Sequence, residues 1–241
     1  MTKFQFIGVF FAIGLQFIST SSLGAKLLDS TGMMVLGGVP KNNQYILLAI
    51  WYIVPAAITF LFMGYFKQFV NEYGIYILSR GSTRINLGFR RNLKVIYITF
   101  GVVLSHILVS CLLSWFLGAR GYFIGNGQLF FKMLLLYSFS IAVLALLQMT
   151  IELWVSPQVA LLCTNIFLLS SVILGGLILD EGKNLWMLFL FFPNLGMLFR
   201  VDLLMKLSGP MFFLKATACL VIYLIGLVAM TELRIKKMDI L

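Results

Sequence analysis

The stretch LFFKMLLLYSFSIAVLALLQMTIELWV, residues 129–155, decides the class of fold. Its two charged residues, Lys132 and Glu152, lie toward opposite ends, and every residue between them is uncharged. A helix needs about 20 consecutive, mostly apolar residues to cross the hydrocarbon core of a bilayer. This stretch therefore predicts a transmembrane helix in which Lys132 extends its amine toward the lipid headgroups.

The composition of the whole chain agrees with that interpretation. Of its 241 residues, 61% are hydrophobic and only 11% are charged, whereas a soluble domain carries about 25% charged residues. The formal net charge of +10 indicates cytoplasmic flanks that contact anionic headgroups, and we expect no nucleic-acid partner. The composition therefore predicts an integral membrane protein.

Six apolar stretches are long enough, or nearly so, to span a membrane as helices. The predicted spans are residues 4–22, 45–66, 95–118, 129–155, 158–179 and 210–231. A further apolar segment, residues 185–200, is interrupted by Pro193, Asn194 and Gly196, which predicts a re-entrant or interfacial element. The sequence thus predicts an all-α fold with a single transmembrane domain over residues 1–241.

The distribution of Lys and Arg predicts the orientation, because cytoplasmic loops carry an excess of both. With six spans, the dense basic clusters at 80–94 and 234–237 fall on one side, and the basic residues on the other side are scattered. Arg200 is counted among the scattered ones. Both termini are therefore predicted to be cytoplasmic, and the broken segment 185–200 extracellular.

The predicted cytoplasmic region between the second and third spans, residues 68–94, concentrates charge. Five basic residues follow a single acid, Glu72. Apolar residues at 69, 70, 73, 76 and 77 follow helical spacing and predict a short amphipathic helix that ends at Gly81. A second helix, capped by Ser82 or Thr83, would then continue into the third span. This region is either a loop held by headgroups or a docking element for a cytoplasmic partner.

Few residues in the spans carry chemistry. His106 lies near the middle of the third span, where an ionisable residue indicates function, although it can equally join two helices by a hydrogen bond. Glu152 either lines a polar path or lies at the membrane interface, which we favour. Gln148 and Asn165 are further polar candidates along a path. We predict no metal site, no cofactor and no ATP-hydrolysing motif in this chain, and hence no enzyme.

The residues Glu72-Tyr73-Gly74, followed by Leu-Ser-Arg-Gly-Ser-Thr-Arg at 78–84, resemble the loop between the second and third spans of ABC-2 type transporter permeases. The resemblance implies that this loop contains a coupling helix that docks into a separate ATPase subunit. The residues that it assigns to docking are Asn71, Glu72, Tyr73, Gly74, Ile75, Arg80 and Arg84. Arg80 and Arg84 would pair with acidic ATPase residues or lipid phosphates, or serve only as topology determinants.

The same resemblance implies an assembly. Two P-loop ATPase subunits, which use ATP and Mg²⁺, would bind a pair of permeases that are identical or homologous. The expected function is export of a hydrophobic or amphipathic substrate across a bacterial plasma membrane, with antimicrobial-peptide or lantibiotic export or immunity favoured. The alternatives are a drug, lipid or polysaccharide exporter and, in another class, a six-helix channel or a membrane scaffold without an ATPase.

Overall fold

The computed structural model describes residues 3–24, 36–39, 44–68, 84–116, 127–182, 184–209 and 211–237. Within those ranges the regular structure is helical, without strands. The helices are α1 (Lys3–Gly24), α2 (Tyr45–Phe62), α3 (Arg84–Phe116), α4 (Gly127–Glu152), α5 (Pro157–Glu181), the 3₁₀ helices η1 (Leu185–Phe189) and η2 (Phe192–Gly196), α6 (Leu198–Ser208) and α7 (Met211–Lys237).

The prediction of an all-helical protein of the membrane type is confirmed. Five helices are long and apolar enough to cross a membrane: α2 with its extension to Gln68, α3, α4, α5 and α7. The first predicted span forms α1, whose apolar part, Phe4–Ser19, is shorter. Six spans and two cytoplasmic termini stay a prediction.

Helix α4 is the centre of the bundle. It contacts α2, α3, α5, α7 and η2, and residues 140–146 are buried on all sides of the helix. A helix that is apolar around its whole circumference is stable only when other elements surround it. The quoted stretch therefore contains the core around which α2, α3, α5, α7 and η2 pack.

Two helix boundaries differ from the predicted spans for local reasons. Helix α4 ends at Glu152, before a turn leads to Ser156, whose hydroxyl caps α5 by accepting from the Val159 amide at 3.4 Å. Helix α7 continues to Lys237, because basic side chains in a last turn interact favourably with the helix dipole. Helix α3 begins at Arg84, so the basic residues and the third span form one continuous helix, as predicted.

The broken segment 185–200 folds back into the bundle. Pro193 lies in the first turn of η2, where its missing N–H costs nothing, and every residue from 192 to 197 is buried. The element η2 packs against α4 and α5. The segment forms η1, η2 and the start of α6, and the packing brings Asn194 into the interior. Its re-entrant or interfacial position in a membrane stays a prediction.

Candidate functional sites in the helical bundle

Among the described residues, the largest fully buried side chain is that of Arg200, near the start of α6. Its Nε donates to the Val39 carbonyl at 2.9 Å, and its Nη1 donates to the Val172 carbonyl at 2.7 Å and to Asn194 Oδ1. Only 1% of Arg200 is exposed. The side chain thereby joins the segment 36–39, the middle of α5, η2 and α6.

Asn194 completes this cluster. Its Nδ2 donates to the Ser171 carbonyl at 2.9 Å and to the Phe191 carbonyl at 2.8 Å, so one amide holds both α5 and its own 3₁₀ turn. A Cβ atom at position 175 would overlap the Asn194 side chain, and glycine there allows the close approach. We call Arg200, Asn194, Gly175 and the Val39 and Val172 carbonyls the arginine clasp.

The hydrogen-bond acceptors in the arginine clasp are neutral dipoles. Among the described residues no carboxylate forms an ion pair with Arg200, and its Nη2 is buried without a hydrogen-bond partner there. Burial lowers the pKa of the guanidinium to about 10, and the charge of Asp180 opposes that shift. Arg200 is therefore a cation at neutral pH that three oxygen acceptors stabilise.

We expect Gly175→Ala to destabilise the protein, because the new methyl group must displace Asn194 at a cost of about 1–3 kcal/mol for overpacking. Gly226→Ala on α7 is the matched control, since no atom of the described residues beyond the local helix backbone lies within 4 Å of a Cβ there, and alanine in a helix gains up to about 1 kcal/mol over glycine. Thermal unfolding in detergent would compare them. Equal melting temperatures for the two variants would show that the contact is unimportant.

A second polar cluster joins the end of α4 to the end of α2. Glu152 Oε1 accepts from the Gly64 amide at 3.0 Å and from Gln148 Nε2 at 3.3 Å. Gly64 has φ +75°, a left-handed conformation that favours glycine, and it turns the chain between Phe62 and the helical residues 65–68. We call Glu152, Gln148 and Gly64 the glutamate clasp.

The glutamate clasp is buried. Glu152 is only 2% exposed, so protein rather than solvent surrounds its carboxyl group, and its placement at the membrane interface stays a prediction. Glu152 Oε2 and Gln148 Oε1 are both buried without a partner in the described part of the chain. A carboxylate in this position is held mainly by one backbone amide, which makes the turn at Gly64 dependent on it.

Next to this cluster, the two segments that flank residues 69–83 contact each other. The guanidinium of Arg91 on α3 lies over the ring of Tyr65, 3.9 Å from its centroid. Such cation–π contacts contribute about 0.5–2 kcal/mol, more when desolvated. The chain that enters residues 69–83 is thus attached to the chain that leaves them, and through Gly64 to α4.

The four predicted path residues separate into three places. Gln148 and Glu152 share the glutamate clasp. His106 Nε2 lies 2.7 Å from Gln16 Oε1 of α1, a contact typical of a hydrogen bond between helices. Asn165 bonds to Tyr52 Oη at 2.7 Å and to Thr59 Oγ1 at 3.2 Å. The structure therefore brings two of the four together and uses the others to join separate helix pairs.

The predicted docking residues lie almost entirely outside the described ranges. These are Asn71, Glu72, Tyr73, Gly74, Ile75 and Arg80. Arg84 is the first residue of α3, and its side chain is not described. In the described portion of the chain, no group of three or more His, Cys, Asp or Glu residues is arranged to hold a metal ion.

The sequence interpretation missed Arg200 and Asn194 as a site. Arg200 was counted with the scattered basic residues of an outer loop, but it is buried. One signal was present in the sequence. Arg200 ends an apolar segment that contains a proline, and an arginine in such a segment indicates a buried charge with specific partners. Asn194 was treated only as an interruption of the apolar run.

The helices and their buried polar clusters define a multi-pass protein of the helical membrane class. The chain belongs to the family described as Protein of unknown function (DUF2705), whose model matches residues 4–241. A search of the curated proteins and a search of the solved structures each found no match.

Proposed function

We propose that this chain is the transmembrane permease subunit of an ATP-binding cassette exporter of the ABC-2 type. The observation that carries the proposal is the attachment of both flanks of residues 69–83 to the bundle. A loop that receives force from an ATPase needs rigid connections to the helices that it moves. The Arg91–Tyr65 contact and the bond from Gly64 to Glu152 are connections of this kind.

The proposed topology has six spans, with α1 as the first and with both termini in the cytoplasm. The basic last turn of α7, containing Arg234, Lys236 and Lys237, supports a cytoplasmic C-terminal end. Because consecutive spans alternate, residues 69–83 then face the cytoplasm, where an ATPase with ATP and Mg²⁺ binds. The element 185–200 faces the opposite side, in the position expected for the re-entrant element of such permeases.

The proposed assembly contains two ATPase subunits and a second permease, identical or homologous, in a bacterial plasma membrane. The cargo is proposed to be hydrophobic or amphipathic, with an antimicrobial peptide favoured. The support is compositional: the buried interior is predominantly apolar, and its polar side chains form small, separate clusters. Such an interior suits a cargo with an apolar surface better than it suits an ion.

The proposal is tested by purifying the tagged chain in mild detergent from a host that expresses its native neighbours. Mass spectrometry should find a P-loop ATPase in stoichiometric amount. Glu72→Lys should weaken that association at least about thirtyfold, since loss of a buried interfacial charge pair costs roughly 2–5 kcal/mol. Tyr73→Ala should also weaken it.

Glu181→Lys is the matched control, because it is the same charge reversal at the exposed C-terminal end of α5, on the opposite side in the proposed topology. It should retain the ATPase fully. A preparation without any ATPase, or equal retention by Glu72→Lys and Glu181→Lys, would refute the proposal and return the channel or scaffold class to first place.

A further inference from the structure

A groove runs between α1 and α3 at the outside of the bundle. It has a volume of about 330 Å³, within the range of about 300–1,000 Å³ that small-molecule sites occupy. Phe6, Val9 and Phe10 of α1 and Ile98, Gly101 and Ser105 of α3 line it. The groove is a recess in the apolar part of two helices.

The lining of the groove requires no polar partner. Among the described residues that line it, only Ser105 carries a hydroxyl, and this hydroxyl donates to the Gly101 carbonyl of its own helix at 2.8 Å. In the described part of the chain, no atom beyond the local backbone of α3 lies within 4 Å of a Cβ built at Gly101, so the recess is open at that position. The walls therefore favour an occupant that is wholly apolar over the length of the groove.

A basic side chain on α3 lies one helical turn before the residues that line the groove. Lys94 precedes Ile98 by four residues and Gly101 by seven, the spacing of a single helix face, and its side chain is exposed. Neither α1 nor α3 contains an acidic residue. The Gln5 amide donates to the carbonyls of Phe60 and Met63 at 3.4 Å, which places the start of α1 beside the end of α2. Because Tyr65, just after α2, contacts Arg91 of α3, α1 and α3 begin at the same end of the bundle.

The dimensions agree with one leaflet of a bilayer. Lys94 and Ser105 are separated by roughly 16 Å along the axis of α3, close to half of the hydrocarbon thickness of about 30 Å. A cation at headgroup level, followed inward by an apolar recess, is complementary to a molecule with an anionic head and a hydrocarbon tail.

We propose that the groove between α1 and α3 binds an anionic phospholipid, with one acyl chain in the recess and the phosphate beside Lys94. This site is independent of the proposed exporter function, since it requires neither an ATPase nor a cargo. A helix of a second copy would fill the recess equally well, but it would leave Lys94 without a complementary charge.

The test uses purified protein in mixed micelles that contain phosphatidylglycerol and phosphatidylcholine with identical chains, in equal amounts. Native mass spectrometry counts the lipids that remain bound. We expect about fivefold more phosphatidylglycerol than phosphatidylcholine, because one basic side chain near an anionic headgroup contributes that preference. Lys94→Gln should reduce the preference, whereas Lys206→Gln, at an exposed position on α6, should preserve it.

Gly101→Leu fills the recess and should lower retention of both lipids about tenfold, because part of the acyl chain loses its buried surface. Gly226→Leu is the matched control, since that position on α7 is equally open, and it should retain lipid normally. Ser105→Leu provides a second filling variant if Gly101→Leu does not fold, as judged by circular dichroism and gel filtration.

Three results would overturn the proposal. These are equal retention of the two lipids by the wild type, full retention by a folded filling variant, and an oligomeric mass that changes in Gly101→Leu while lipid retention does not. The last result would assign the recess to a second copy of the chain.

Discussion

The Arg200→Met variant should lose about 3 kcal/mol or more of stability, because three buried acceptors lose their donor at about 1–3 kcal/mol each. Those acceptors are the carbonyls of Val39 and Val172 and the side-chain oxygen of Asn194. Removing a buried charge recovers part of that cost, but methionine cannot donate to any of the three. Thermal unfolding in detergent measures the loss.

Arg200→Lys should fall between the wild type and Arg200→Met. A compact ammonium lacks the planar fork that reaches acceptors in several directions. Since the pKa of Arg200 is lowered only to about 10, the guanidinium stays protonated below that value, and the difference between wild type and variant should be constant across the neutral pH range.

Lys206→Met is the matched control for this prediction. Lys206 lies on the same helix, α6, and its amine pairs with Asp202 at 2.7 Å in an exposed position. An exposed pair of this spacing contributes about 0.3–0.5 kcal/mol. If Arg200→Met were no less stable than Lys206→Met, the arginine clasp would have no structural importance.

The second prediction concerns the glutamate clasp. Glu152→Ala removes the acceptor of the Gly64 amide, and a buried donor without a partner costs about 1–3 kcal/mol. The turn at Gly64 should then open more often. We expect hydrogen exchange of the amides at 64–68 to accelerate about tenfold or more. In the proposed exporter, the same change should reduce transport for each ATP hydrolysed while the ATPase still binds.

Glu152→Gln separates the hydrogen bond from the charge. The glutamine amide keeps an oxygen that can accept from Gly64, so exchange should stay near the wild-type rate. Glu181→Ala, at the exposed end of α5, controls for the loss of any carboxylate. Unchanged exchange in Glu152→Ala would mean that the bond at 3.0 Å does not hold the turn.

The helices were predictable from the sequence because the backbone polar groups of a long apolar stretch must be hydrogen-bonded within the protein when hydrocarbon surrounds it. A helix satisfies those groups within the stretch itself. Residues 129–155 predicted α4 to within three residues at each end. Where the boundaries moved, the causes were local, such as the Ser156 cap and the basic last turn of α7. Local signals of this kind are present in the sequence and weak on their own.

The two clasps were not predictable in the same way. Arg200 bonds to the carbonyls of Val39 and Val172, and Glu152 bonds to the amide of Gly64. Every residue has a backbone carbonyl, and nearly every residue has an amide, so a sequence does not mark which one a distant side chain will contact. The pair Gln148 and Glu152, four residues apart on one helix, is the contact that helical spacing could have predicted.

The arginine clasp also bears on how the protein is made. Its Arg200–Val39 bond joins residues 161 positions apart, so at common rates of translation the carbonyl leaves the ribosome roughly 8–32 s before the guanidinium does. During that interval most of the spans have been synthesised, and the carbonyls of Val39 and Val172 still lack this donor. Arg200 thus supplies these buried hydrogen bonds late in synthesis. A nascent chain that stops short of it presents an incompletely hydrogen-bonded bundle to the quality-control machinery of the membrane.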